Sequence, residues 1–170
     1  GETIDYGPCA FLEAYSPGAV FSSIDHGGRY AFGNQPTIAR WNLTRFAETL
    51  LPLIAPDDPD AAVTQAMAVL DAFPAAYETH LAAGMRAKLG LASPEPDDAL
   101  LTRDWLALLE AHEVDHTLAW RALADAAAGD AHALEALFEE PAAPGPWLMR
   151  WRARGERDGR PAAERAAAMR

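Results

Sequence analysis

The chain has a single cysteine, Cys9, so no intrachain disulfide can form, and a reducing compartment is the default setting. No apolar run approaches the roughly 20 residues needed to cross a bilayer, so no membrane-spanning helix is expected. The start, Gly1-Glu2-Thr3-Ile4-Asp5, lacks an initiator Met as well as the basic flank and apolar stretch of a signal peptide. These features suit a mature fragment. Basic residues are scarce, with 14 Lys and Arg against 25 Asp and Glu and a net charge of −11. That balance argues against nucleic acid as the main partner, because a polyanion needs a basic face. Strand-like alternation is weak, and there is no internal repeat.

With 170 residues, half of them hydrophobic and 23% charged, the chain is long enough for one domain with a core, or for one lobe of something larger. Its charge is uneven. Residues 1–149 hold 7 basic and 22 acidic side chains, whereas residues 150–170 hold seven arginines against Glu156, Asp158 and Glu164. A basic helix of this kind is expected to dock on an acidic neighbouring surface of the same protein.

Two unlike parts follow one another. Residues 1–36 are rich in Gly, Pro, Ser, Asp and aromatics, with turn signals at Gly7-Pro8, Ser16-Pro17-Gly18, Gly27-Gly28 and Gly33-Asn34. They read as a long structured loop, and such loops usually carry function. From Asn34 onward the pattern is helical and Ala-rich. Asn34 can cap a helix with Pro36 in its first turn, and Leu43, Phe46, Ala47, Leu50 and Ile54 line one face until Pro52 kinks or ends it. A second face, Val63, Met67, Leu70, Tyr77, Leu81 and Met85, is expected to break at Pro74. Ser93-Pro94-Glu95-Pro96-Asp97-Asp98 separates it from a third helix near 102–113. Further helices are expected over 115–127, 130–139, 145–154 and 161–170.

His112-Glu113-Val114-Asp115-His116 matches H-E-x-x-H, in which two His one helical turn apart bind zinc and the Glu is a general base. That chemistry needs one unbroken helix, and Asp115 is a natural N-cap that would start a new one. A third ligand would have to come from His132 or Glu135. Cys9 as a nucleophile would need His26 as its base, and a buried or loop thiol is the simpler reading. The acidic clusters Asp57-Asp58-Pro59-Asp60 and Glu95-Pro96-Asp97-Asp98 fit solvated loop and helix-start charge. Ile4-Asp5-Tyr6-Gly7-Pro8, an Asp followed by an aromatic and a Gly at the head of a long loop, is similar to the Asp-Phe-Gly element of protein kinases. There the Asp holds magnesium against nucleotide phosphates and the Gly lets the backbone turn.

The run Ile4-Asp5-Tyr6-Gly7-Pro8-Cys9-Ala10-Phe11, then Ala14-Tyr15-Ser16-Pro17, Phe21-Ser22-Ser23-Ile24-Asp25 and Gly28-Arg29-Tyr30-Ala31-Phe32-Gly33-Asn34-Gln35-Pro36, resembles the selenoprotein O (SelO, YdiU) family. Trp41-Asn42-Leu43 and Leu50-Leu51-Pro52-Leu53 extend the resemblance. Weaker echoes lie in Met85-Arg86-Ala87-Lys88-Leu89-Gly90-Leu91, in Val114-Asp115-His116-Thr117, where the family has Tyr in place of His116, and around Trp147, Trp151 and Arg154.

The resemblance implies a protein-kinase-like fold, once described as a pseudokinase, and transfer of AMP from ATP to Ser, Thr or Tyr hydroxyls of proteins. It makes Asp5 the ligand of Mg²⁺, with Mn²⁺ as the alternative, and through it of ATP. It makes the chain a mainly α C-lobe fragment: residues 1–36 the Asp-Phe-Gly-like and activation-segment-like region, 37–140 a helical bundle, and 141–170 an Arg-rich helical extension. The family's catalytic Asp and its metal-binding Asn, in an Asn-Thr-Asp-Asn element, are expected upstream of Gly1, so the fragment alone is expected to be inactive. Phe21 stands where some bacterial members have Cys, which removes thiol regulation there. The expected partners are ATP and protein substrates, with neither nucleic acid nor membrane, in the cytoplasm of a bacterium or the mitochondrion of a eukaryote. The alternatives are a non-enzymatic helical interaction domain and the zinc hydrolase.

Overall fold

A computed structural model describes residues 12–170. The described chain is mainly helical, and its only β pairing is an isolated antiparallel bridge between Ala14 and Asp115. It divides into two compact units, Pro17–His80 and Leu81–Arg170, the latter including residues 12–16.

In the first unit a loop ends in a single 3₁₀ turn at Phe32–Asn34, followed by α1 (Gln35–Ile54). Asn34 occupies the N-cap position of α1 without a side-chain cap bond. Its Nδ2 donates instead to the Arg29 carbonyl at 2.7 Å, so it fastens the preceding loop. Pro52 lies within α1, and the helix stops two residues later, as a missing backbone N–H near a helix end allows.

Helix α2 (Pro59–Lys88) begins where the Asp58 carboxylate accepts from the Ala61 N–H at 2.9 Å, and it runs into the second unit. Contrary to expectation, Pro74 does not interrupt it. Good helix formers around Pro74, Ala72, Ala75 and Ala76 among them, outweigh one lost hydrogen bond. Gly90, at φ 72°, supplies the left-handed residue that ends such a helix without a Cβ penalty.

The apolar faces of α1 and α2 are not the core that their periodicity suggests. Only Ile38, Ala62 and Leu70 are buried in this unit, while Phe46, Leu53 and Val69 are 60, 77 and 73% exposed.

The core belongs to the second unit. Helices α3 (Asp98–Ala111), α4 (His116–Ala127), the short α5 (His132–Glu135), α6 (Gly145–Asp158) and α7 (Ala162–Ala168) enclose it. Helix α4 packs on α5 and α7, and α3 on α6. Four tryptophans form its centre: Trp105 lies 4.4 Å from Trp147, 5.9 Å from Trp120, and Trp147 stacks at 5.9 Å on Trp151. The buried indoles of Trp147 and Trp151 donate to the carbonyls of Leu101 and Leu89, each at 2.9 Å. Those bonds satisfy the polar tips while the rings supply apolar area.

The Arg-rich end does dock on acidic neighbours. Arg150 pairs with Asp104 at 2.8 Å, Arg154 with Asp98 at 2.7 Å, Arg157 with Glu95 at 2.8 Å and Arg170 with Asp125 at 2.5 Å. This corrects the reading of Glu95-Pro96-Asp97-Asp98 as plain solvated charge. Asp98 is buried and holds Arg154, itself 3% exposed. Helix α3 starts at Asp98, earlier than the hydrophobic pattern indicates. Arg165 is buried too, its guanidinium 4.8 Å from the Trp151 ring. It fills the space that a Cβ at position 155 would take, so any side chain there would have to displace the Arg165 guanidinium.

Candidate functional site

Asp5, the expected metal and ATP ligand, and Cys9 lie outside the described residues. The structure does show how the segment just after them is held. Residues 12–16 lie against the α3–α4 connection, where the Tyr15 N–H donates to the Val114 carbonyl at 3.0 Å and the His116 N–H donates to the Glu13 carbonyl at 2.7 Å. The rings of Tyr15 and His116 stack with centroids 5.4 Å apart.

The next stretch, residues 17–34, is irregular but closed by its own bonds. Phe32 and Gly33 donate from their backbone N–H groups to the carbonyls of Ala19 and Pro17 at 3.0 and 2.7 Å. The Asp25 carboxylate accepts from the N–H groups of Arg29 and Tyr30, each at 2.8 Å. Arg29 in turn lies 4.5 Å from the Trp41 ring. The Gly, Asp and aromatic residues that mark this stretch as a structured loop are the ones that tie it. His26 is exposed.

The H-E-x-x-H pattern does not sit on a helix. Helix α3 stops at Ala111, His112 caps it, and Glu113 takes the left-handed φ of 50°. Val114 then donates back to the Leu109 carbonyl at 3.0 Å. Asp115 begins α4, its carboxylate accepting from the Leu118 N–H at 2.7 Å, as a capping Asp does. The two imidazoles go to different partners. His112 meets Phe138 edge-on at 5.5 Å, and His116 accepts through Nε2 from the Trp120 indole at 3.1 Å.

With the helical spacing broken, the zincin arrangement does not form, and the zinc-hydrolase reading is withdrawn. Neither His132 nor Glu135 supplies a third ligand. Among the described residues no three His, Cys, Asp or Glu side chains gather in a way that could hold a metal ion.

His116 thus ties residues 12–16 to the start of α4. Burial and the neighbouring Lys88 cation push its pKa down, partly opposed by the Asp115 carboxylate. The ring is therefore held neutral, and because Nε2 accepts, its proton sits on Nδ1. Tyr15 is pushed up by burial and by the Glu110 charge, and remains a protonated phenol. Sequence spacing alone did not single out the Tyr15–His116 contact, since nothing in the pattern relates residues so far apart in the chain.

Known proteins match this chain closely. The family model described as protein adenylyltransferase SelO matches residues 1–150. A protein nucleotidyltransferase YdiU of Chromobacterium violaceum is 59% identical over 170 residues, covering 100% of this chain and 36% of its own length. Proteins of the same description from Rhizobium leguminosarum bv. trifolii and Rhodococcus jostii are 54 and 57% identical over 99% of this chain, and over 34 and 32% of theirs. The chain therefore spans about a third of the length of the curated relatives it matches.

Proposed function

This chain belongs to the protein adenylyltransferase SelO family, and we propose that it is a kinase C-lobe-like part of an enzyme that transfers AMP from ATP to Ser, Thr or Tyr hydroxyls of proteins. The observation that carries this reading is the family match through residues 1–150, which takes in Asp5 and the whole loop region after it. Residues 1–36 are assigned to the metal-binding and activation-segment-like region, 37–140 to the helical lobe and 141–170 to its extension. The mainly helical architecture of the described residues supports the α-helical part of this reading.

Asp5 offers a carboxylate oxygen, the hard donor that Mg²⁺ or Mn²⁺ takes. Such an ion supplies neutralisation of triphosphate and leaving-group charge when bound with ATP. By the family resemblance, the remaining donors and the Asp that removes the acceptor proton are proposed to come from the rest of the full polypeptide. What this chain supplies besides Asp5 is position. The hydrogen bonds of Tyr15 and His116 fix the backbone at residues 13–15, up to ten residues after Asp5 in the sequence. On this reading the 170-residue chain alone does not catalyse.

The relatives above are bacterial, which supports a bacterial source. No helix among the described residues is long and apolar enough to cross a membrane.

The experiment is AMP transfer by the full polypeptide that carries this chain, with and without Asp5→Ala. The substitution is expected to lower transfer at least about a hundredfold, the scale of losing a few kcal/mol of charge stabilisation. Unchanged transfer would sink the metal role. The competing reading is a purely non-enzymatic helical interaction module. It would be favoured by a full polypeptide that neither binds Mg·ATP nor transfers AMP.

A further inference from the structure

A polar cleft of about 640 Å³ opens where the last turn of α2 meets α4 and the C-terminal residues, all within the second unit. Lys88, Arg121 and Arg170 bring three cations to it against one carboxylate, Asp125, in a chain whose acidic residues outnumber its basic ones 25 to 14. Asp125 is already engaged by Arg170 at 2.5 Å. Among the described residues neither Lys88 nor Arg121 makes an ion pair with a carboxylate. The Lys88 ammonium instead stands 5.4 Å from the ring of Trp120, which forms part of the wall.

The remaining lining adds donors. Thr117 lies one turn before Arg121 on α4, so the two share a stripe of the helix and their side chains reach the same space. His116 also lines the cleft, its Nε2 accepting from the Trp120 indole.

We propose that this cleft binds the phosphate group of a small molecule, with Lys88 as a point charge, the Arg121 guanidinium as a fork on two oxygens, and the Thr117 hydroxyl as a neutral donor. A carboxylate ligand would leave part of this donor set unused, whereas a phosphate has three or four acceptor oxygens and a second charge. The volume suits a small phosphorylated compound. Trp120 is largely covered, so the cleft recognises the phosphate rather than stacking a base. The assignment is independent of adenylyl transfer and does not use Asp5.

Isothermal titration of the full polypeptide with inorganic phosphate, pyrophosphate and AMP, in separate runs, tests it. Saturable binding is expected, weakened at least about tenfold by Lys88→Gln with Arg121→Gln and unchanged by Asp5→Ala. Both replaced side chains are exposed, and Arg121→Glu alone gives a second variant that reverses charge without touching the core. The tightest of the three probes identifies the source of the phosphate. The proposal is overturned if none of them saturates below about 10 mM, if the binding survives both variants, or if Asp5→Ala abolishes it, since the last result would place the ligand at the metal-nucleotide site.

Discussion

Arg154 and Asp98 form a buried ion pair, guanidinium Nε to carboxylate Oδ1 at 2.7 Å, with side chains only 3 and 8% exposed. Arg154 also donates to the Ser93 carbonyl at 2.5 Å and stands 3.6 Å from Asp158. Burial works against the Arg154 charge, but the Asp98 hydrogen bond and the Asp98, Glu95 and Asp158 carboxylates raise its pKa. This one side chain joins α6 to the start of α3 and to the loop before it.

Removing one partner of such a pair leaves the others buried and uncompensated. Arg154→Ala is therefore expected to lower unfolding stability by about 3–5 kcal/mol, read from urea denaturation of the full polypeptide. The double variant Arg154→Met with Asp98→Leu should recover part of that loss, because an apolar pair removes the desolvation penalty along with the attraction. A double variant as unstable as Arg154→Ala would show that the pair is more than mutual compensation.

Asp158 predicts a specific acid response. Burial raises its pKa, yet hydrogen bonds from the N–H groups of Ser93 and Ala92 and from the Ser93 hydroxyl, with the Arg154 charge, bring it from 3.8 down to about 2. A carboxylate depressed by folding contributes stability that is complete above its unfolded pKa and is lost as pH falls through the folded one. The contribution, about 2 kcal/mol, should disappear between roughly pH 5 and 2. Asp158→Asn should flatten that part of the stability profile; a profile as steep as the parent's would assign the acid response to other groups.

His116 predicts a second pH window with the same direction. Its folded pKa lies below 6.5, through burial first and Lys88 second. The unfolded chain therefore takes up a proton that the folded chain refuses, and stability falls as pH drops below 6.5 through the folded value. His116→Phe should remove this dependence while keeping the ring against Tyr15, at about 1 kcal/mol for the unpartnered Trp120 indole. If His116 pins residues 12–16, His116→Ala should also speed proteolytic cleavage within them. Equal cleavage rates would show that the backbone bonds suffice.

Much of this was legible in the sequence. Asp115 announces a helix start by its chemistry, and the structure has that carboxylate on the Leu118 N–H. The excess of arginines after residue 149 predicted docking on acidic neighbours, and Asp98, Asp104, Glu95 and Asp125 are those neighbours. Helix type followed from composition, since Ala-rich periodic segments have few alternatives. The run around Asp5, not any spacing rule, identified the family.

Burial was not legible. Periodicity reports which residues share a face, not whether another surface covers it, so Leu43, Phe46 and Val63 fall on apolar faces and are nevertheless exposed. Charged clusters behave likewise: Asp57-Asp58-Pro59-Asp60 and Glu95-Pro96-Asp97-Asp98 read alike, and only the approach of Arg154 made Asp98 a buried partner. The stack of His116 on Tyr15 rests on a contact between distant parts of the chain. Local propensity and capping are short-range and belong to the sequence, whereas desolvation and ion pairing depend on what folding brings near, and only the tertiary structure decided them.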